Sequence, residues 1–211
     1  MCRNLKIYLQ ALAAVCLAAG AGAASAGGFI SAENAGLAEG VNSAISARLE
    51  DKPGGTAVYC RKTGKDGRAV WGKEGVAVCE AEYFRFSPQA VPDGEGGALV
   101  AWQDYRGAGP KIYCQKIGPA GDILWSKNGV QLCAETAEQA DPKIIPDMKG
   151  GAFVVWEDYK HGKPRVFCQK INNGGAAEWG PSGRRAGTGG GGQSSPRMIN
   201  GGAGGVIIVW M

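Results

Sequence analysis

The sequence predicts an all-β chain made of repeated four-stranded antiparallel sheets, and three observations predict it. Tryptophans recur at a fixed interval: Trp102, Trp156 and Trp210 stand 54 residues apart, as do Trp71, Trp125 and Trp179. Cys60, Cys114 and Cys168 share that period, and so do Pro88, Pro142 and Pro196. Clusters of Gly, Pro and Asp separate short apolar runs, and no segment beyond the N-terminus has helical periodicity. A fixed period of this length marks a repeat architecture, in which each unit is one supersecondary element that buries its apolar surface against its neighbours.

In register, the units are 39–92, 93–146 and 147–200, preceded by a lead-in at 27–38 and followed by an opening strand at 201–211. The second and third units share 19 of 54 positions without a gap, far above chance. The first is degenerate, with Arg48 where Trp102 and Trp156 stand. In the second unit the turn DGEGG (93–97) leads into ALVAWQDY (98–105), whose first part is apolar on both faces and is expected to be covered on both sides. A Gly/Pro turn at 107–110 leads to KIYCQKI (111–117), the turn GPAGD (118–122) to ILW, and SKNG to VQLC (130–133). Short consecutive antiparallel strands in four-stranded repeating units point to β-propeller-like blades, here about three plus one strand.

The N-terminus reads separately. Arg3 and Lys6 precede an Ala-rich apolar stretch over residues 11–24, and Ala24-Ser25-Ala26 supplies a small-x-small cleavage site. This is the layout of a secretory signal peptide over residues 1–26, which places the protein outside the cell, at its surface or in the periplasm, with no stable membrane span once the signal is removed. The apolar run is shorter than the roughly 20 residues that a spanning helix needs.

With a formal net charge of +4, the chain is not a strongly basic nucleic-acid binder. His161 is the only histidine, which removes the main ingredient of His-dependent catalysis and His-rich zinc sites. No cofactor or metal is expected. The Gly runs at 189–192 and 201–205 are followed by no G-K-[ST], and so read as turns rather than phosphate loops.

The pattern carried by PDGEGGALVAWQDYRG, KIYCQKI and GDILWSKNGV resembles the repeats of secreted bacterial β-propeller proteins. The likeness covers roughly residues 39–211 and weakens at 184–193. It implies a fold and no particular activity. Closed propellers have about four to eight blades, whereas the last strand here, Val206–Trp210, opens a unit. The expectation is a piece of a longer repeat protein; self-association into a ring is the alternative.

Five cysteines remain beyond the signal segment. Cys60 to Cys79 and Cys114 to Cys133 are both 19 apart, which suggests one disulfide per unit, with Cys168 left over because Gly187 occupies its partner position. The other reading makes them small buried apolar residues. Hairpin counting about GPAGD sets Cys114 nearer Ser126 than Cys133, unless the loop SKNG resets the register. The recurring aromatics Trp71, Trp102, Tyr113, Trp125, Trp156, Phe167, Trp179 and Trp210 are expected in the core rather than on sugars, because a residue repeated in every unit fills the contact between units. Asp93, Asp104, Asp147 and Asp158 are expected to cap turns. Arg106, with Lys52 and Lys160 at equivalent positions, reads as a surface cation.

These readings combine into an exported, non-catalytic binding or scaffold protein whose ligand is a protein or a carbohydrate, with possible self-association through the strand at 205–210. The rival is a propeller-fold hydrolase, sialidase- or glycosidase-like, whose catalytic blades lie elsewhere.

Overall fold

The computed structural model describes residues 43–160 and 162–211. The expected signal peptide at 1–26, the lead-in at 27–38, the first residues of the first unit and His161 lie outside the described residues. Within them the chain is all-β, and every sheet is antiparallel.

β1 (Ser43–Lys52), β2 (Gly55–Gly64) and β3 (Val76–Cys79) form a three-stranded sheet in that order. β4 (Arg85–Pro92), β5 (Ala98–Asp104), β6 (Lys111–Ile117) and β7 (Val130–Gln131) form the second sheet, of four strands. β8 (Gln139–Pro146), β9 (Ala152–Asp158), β10 (Arg165–Ile171) and β11 (Arg184–Arg185) repeat it as the third. β12 (Arg197–Gly202) and β13 (Gly205–Val209) form a two-stranded fourth sheet. Each four-stranded sheet therefore draws its first strand from the end of one sequence unit and the other three from the next.

The tight hairpins follow from their Asp and Gly. Asp93 Oδ1 accepts from the N–H groups of Glu95 and Gly97, both at 2.8 Å, and Asp147 Oδ1 does the same for Lys149 and Gly151. Glycine is required at 97 and 151, because a Cβ there would sit 2.0 Å from Ile117 O and 2.1 Å from Ile171 O.

Alternation along the strands builds the cores. Ala98, Val100 and Trp102 of β5 pack on Ile45, Val58 and Cys60 of the first sheet. Leu99 and Ala101, on the opposite face, pack on Ala152, Val154 and Trp156 of the third. Val155, Val166 and Cys168 of the third meet Met198, Val206 and Ile208 of the fourth. β5 and β9 are buried along their whole length because both faces are covered.

Polar contacts between sheets repeat with the same period. Trp71 Nε1 donates to Pro119 O at 2.9 Å, and Trp125 Nε1 to Asn173 O at 2.8 Å. Lys62 Nζ donates to Gly96 O, and Lys116 Nζ to Gly150 O. Gln139 Oε1 accepts from Ile112 N and Gln193 Oε1 from Val166 N, so a buried glutamine at the start of the third sheet and one just ahead of the fourth each close an amide of the sheet before. Trp71, Trp102, Trp125 and Trp156 are buried, Trp179 is half-buried and Trp210 is exposed.

The expected disulfides are not formed. Cys60, Cys79, Cys114, Cys133 and Cys168 are all free and buried. Register is the reason: Cys114 lies opposite Val130, which leaves Cys133 three residues further along. At about 3.3 Å per residue that is roughly 10 Å, beyond the reach of a disulfide. In the first sheet Cys60 lies opposite Val76, and a bulge sets Cys79 against Val58. The small-apolar reading holds instead. Burial pushes the thiols of Cys60 and Cys168 up to about 12 and raises those of Cys79, Cys114 and Cys133, so none is a thiolate at neutral pH.

Candidate functional site

Residues that break the repeat gather where the first and second sheets meet. The segment EAEYFRF (80–86) occupies the place of AETAEQA (134–140) in the next unit. Arg85 replaces the buried glutamine of the other sheets and is itself fully buried. Its Nε bonds Asp104 Oδ2 at 3.2 Å, and its two terminal nitrogens reach four main-chain oxygens: Thr56 and Ala81 at 2.5 Å, Tyr83 at 2.6 Å and Glu82 at 2.7 Å. One guanidinium fork thus holds the three consecutive carbonyls of residues 81–83. Tyr83 is fixed with φ at +82°, a strained region for a bulky residue.

Holding the loop sets the direction of its side chains. Arg85 points inward, so Phe84 and Phe86, one residue either side, point outward. Tyr105 N donates to Phe84 O, which puts Tyr105 across from Phe84, and the rings of Phe86 and Tyr105 meet edge to face with centroids 5.3 Å apart. Tyr83, Phe84, Phe86 and Tyr105 are 54%, 55%, 45% and 38% exposed. Their equivalents in the third sheet are Ala137, Glu138, Ala140 and Tyr159, so the aromatic surface exists once in the described chain.

Asp104 anchors the other side. Its Oδ2 accepts from Trp102 Nε1 at 2.9 Å and from Arg106 at 2.5 Å, and its Oδ1 accepts from the N–H and Nε of Arg106, each at 2.9 Å. Burial alone would raise the Asp104 carboxyl; the hydrogen bonds of Arg106 and Trp102 and the Arg106 charge outweigh it and hold the group below its ordinary value. Arg106 is therefore not the surface cation expected: it bridges Asp104, Cys79 Sγ and Asn128 O, and its guanidinium lies 4.0 Å from the centre of the Tyr113 ring. Asp158 makes a poorer set of contacts, with Lys160 N at 3.1 Å and Gln139 Nε2 at 3.5 Å, and Trp156 Nε1 has no hydrogen-bond partner.

A cavity of about 490 Å³, lined by residues of the first and second sheets, has Val78, Ile123 and Trp125 as its apolar lining and Glu80, Lys127 and Asn128 as its polar one. Glu80 accepts from Lys52 Nζ at 2.7 Å and Tyr59 Oη at 3.0 Å, and the Lys52 hydrogen bond lowers its carboxyl from the usual range. Among the described residues no three His, Cys, Asp or Glu side chains are placed to hold a metal ion. Sequence reasoning missed the aromatic surface because it sought recurrence; the available signal was departure from the repeat at 82–86.

No family model matches the chain, and no curated protein matches it. One solved structure is similar, described as the crystal structure of an endo-arabinase from Bacteroides thetaiotaomicron VPI-5482. It is 13% identical, with 80% of this chain and 66% of that chain covered and a TM-score of 0.46. The expectation that the chain is not an enzyme is corrected on this point: the similar solved protein is an enzyme, and a non-catalytic role is not carried forward. A likeness of this size assigns this chain neither an activity nor site residues.

Proposed function

We propose that the protein is an exported β-propeller-type repeat protein that binds a carbohydrate chain across the aromatic surface of its second sheet. The propeller reading is supported by successive antiparallel sheets of constant period, with matching tryptophan and lysine contacts at the first two junctions and matching glutamine contacts at the last two. The observation that carries the binding reading is the Phe84–Phe86–Tyr105 surface, exposed, unique to one sheet, and held in place by a buried arginine. A sugar ring presents a face of C–H groups that packs on an aromatic ring, while its hydroxyls reach polar groups at the edge. Here the Tyr105 hydroxyl, bonded to Gln103 Nε2 at 3.2 Å, provides such an edge. Exposed apolar surface of this kind on a soluble domain marks an interaction site.

The test is calorimetric titration of the purified protein with a panel of soluble plant and bacterial polysaccharides, beside the Phe84→Ala/Phe86→Ala double variant. Binding by the parent and its loss in a variant of unchanged circular dichroism is the expected result. Absence of binding across the panel, or binding unchanged in the double variant, would overturn the reading. The same mixtures assayed for released reducing ends test whether the bound chain is also hydrolysed, as in a propeller-fold hydrolase. Export is tested by the N-terminus of secreted material, expected at Gly27.

A further inference from the structure

The first two sheets meet differently from the second and third, and three residues account for it. Between the second and third sheets main chain meets main chain: Ala134 N donates to Pro181 O at 2.8 Å, and Cys133 Sγ lies 3.6 Å from Ser182 O. The equivalents of Ala134, Pro181 and Ser182 one unit earlier are Glu80, Lys127 and Asn128. There Glu80 N donates instead to the side chain of Asn128, at 3.2 Å to Oδ1. Asn128 is held with φ at +63°, a left-handed conformation that asparagine tolerates, and its carbonyl accepts from Arg106 at 2.9 Å. A side chain thus spans a gap that main chain closes at the next junction, and Glu80, Lys127 and Asn128 themselves line the cavity of about 490 Å³ found there. That volume lies within the range of about 300–1,000 Å³ usual for small-molecule sites.

The lining has a definite chemistry. Trp125 is fixed: its Nε1 is tied to Asn173 O at 2.8 Å, and Gly175 packs so closely behind it that a Cβ there would come within 2.9 Å of the indole. With Val78 and Ile123 it offers an apolar wall. Opposed to that wall are one acceptor, one donor and one cation. Glu80 uses Oε1 for both Lys52 and Tyr59, which leaves Oε2 as an acceptor. Asn128 spends Oδ1 on Glu80 N, which leaves Nδ2 as a donor. Lys127 is exposed and has no ion pair or hydrogen bond among the described residues. Because Lys52 Nζ, 2.7 Å from Glu80, already balances that carboxylate, the charge left over at the cavity is the positive one of Lys127.

We propose that this cavity binds a sugar residue bearing a carboxylate, a uronic acid. The C–H face of its ring packs on Trp125, Ile123 and Val78, its hydroxyls donate to Glu80 Oε2 and accept from Asn128 Nδ2, and its carboxylate accepts from Lys127 Nζ. A neutral sugar leaves Lys127 unused, and a carboxylate without hydroxyls leaves Glu80 and Asn128 unused. The site shares no residue with the Phe84–Phe86–Tyr105 surface and does not rest on binding there.

Calorimetric titration and ligand-observed NMR at pH 7 test this, with sodium glucuronate and sodium galacturonate as probes beside glucose, galactose and sodium benzoate. A uronate is expected to bind, and the two neutral sugars and benzoate to bind at least about tenfold more weakly. Lys127→Ala is expected to weaken uronate binding by at least about tenfold, and Lys127→Arg to retain it. Ala77→Leu, which fills the cavity from β3, is expected to abolish it. Added salt is expected to weaken it, because the Lys127 contact is exposed to solvent. Phe84→Ala/Phe86→Ala is expected to leave it unchanged, so that failure of this site and failure of the aromatic surface are read separately. Absence of uronate binding overturns the proposal. So does equal binding of a neutral sugar or of benzoate, or uronate binding that survives Lys127→Ala or Ala77→Leu. Uronate binding lost in the Phe84/Phe86 variant would place the sugar on the aromatic surface and would overturn it too.

Discussion

The second and third sheets share strand order, register and core, yet only one of them carries an aromatic surface. In the second, Asp104 accepts from Arg85, Arg106 and Trp102. In the third, Gln139 and Lys160 stand in place of the two arginines, Lys160 turns away to Glu135, and Trp156 Nε1 is left without a partner. The comparison teaches that the repeat sets the packing and that charge added to one copy sets the loop. Arg85 does for main-chain oxygens of residues 81–83 what no glutamine can, since a guanidinium offers five donors in a fixed fork.

The largest expected effect separates the two carboxylates. Asp104→Ala strips an acceptor from two arginines and a tryptophan in a buried setting, and is expected to cost about 3–5 kcal/mol. Asp158→Ala removes a main-chain contact and one long hydrogen bond, and is expected to cost about 1–3 kcal/mol. Urea denaturation of the two variants, compared with the parent, measures both. Equal losses would mean that the arginine cluster adds nothing to the shared scaffold.

The tryptophans sharpen the same contrast at smaller scale. Trp102→Phe deletes a donor to a charged acceptor and leaves Asp104 short of a partner, an expected loss of about 1.5–3 kcal/mol beyond the packing change. Trp156→Phe deletes an N–H that has no acceptor, so only the packing change is expected. The difference between the two midpoints in one denaturant series isolates the hydrogen bond.

Much of this fold was legible in the sequence, and the reason is repetition. A residue recurring every 54 positions meets similar neighbours each time, so Trp71 and Trp125 share one role, as do Asp93 and Asp147 in their turns. What was not legible depended on single events. The cysteine spacing was read correctly as periodic, but pairing needs register, and that is set by a bulge and a long loop that no periodicity encodes. The aromatic surface was missed for the opposite reason. Tyr83, Phe84 and Phe86 break the period, and a search for recurrence discards such residues. Arg106 was misread because its equivalents are lysines, which do not reach the cluster that its planar fork completes.

Acid tests the cluster by its charge. Asp104 is held below the ordinary aspartate value of 3.8, so the carboxylate is favoured by folding. A carboxyl depressed in the folded state contributes stability that is fully present above the unfolded value and is lost as pH falls through the folded one. Thermal midpoints of the parent and of Asp104→Asn are therefore expected to differ by a constant amount at neutral pH and to converge below pH 3.8. A gap that persists unchanged into acid would mean that the charge on Asp104 is not what holds the cluster.

The smallest effect is expected where the first unit departs from the pattern. Arg48 stands where Trp102 and Trp156 are buried, yet its side chain lies on the outer face of β1 beside Ser46, Glu50 and Lys52, with its guanidinium 4.7 Å from the centre of the Tyr59 ring. That face alternates polar residues where β5 has Val100, Trp102 and Asp104. Arg48 is matched to these polar neighbours, with Glu50 Oε2 3.0 Å away. Arg48→Trp is expected to shift stability by no more than about 0.5 kcal/mol, the usual range for a surface change. Scanning calorimetry decides it: a gain of several kcal/mol would show that an apolar face covers this side of β1.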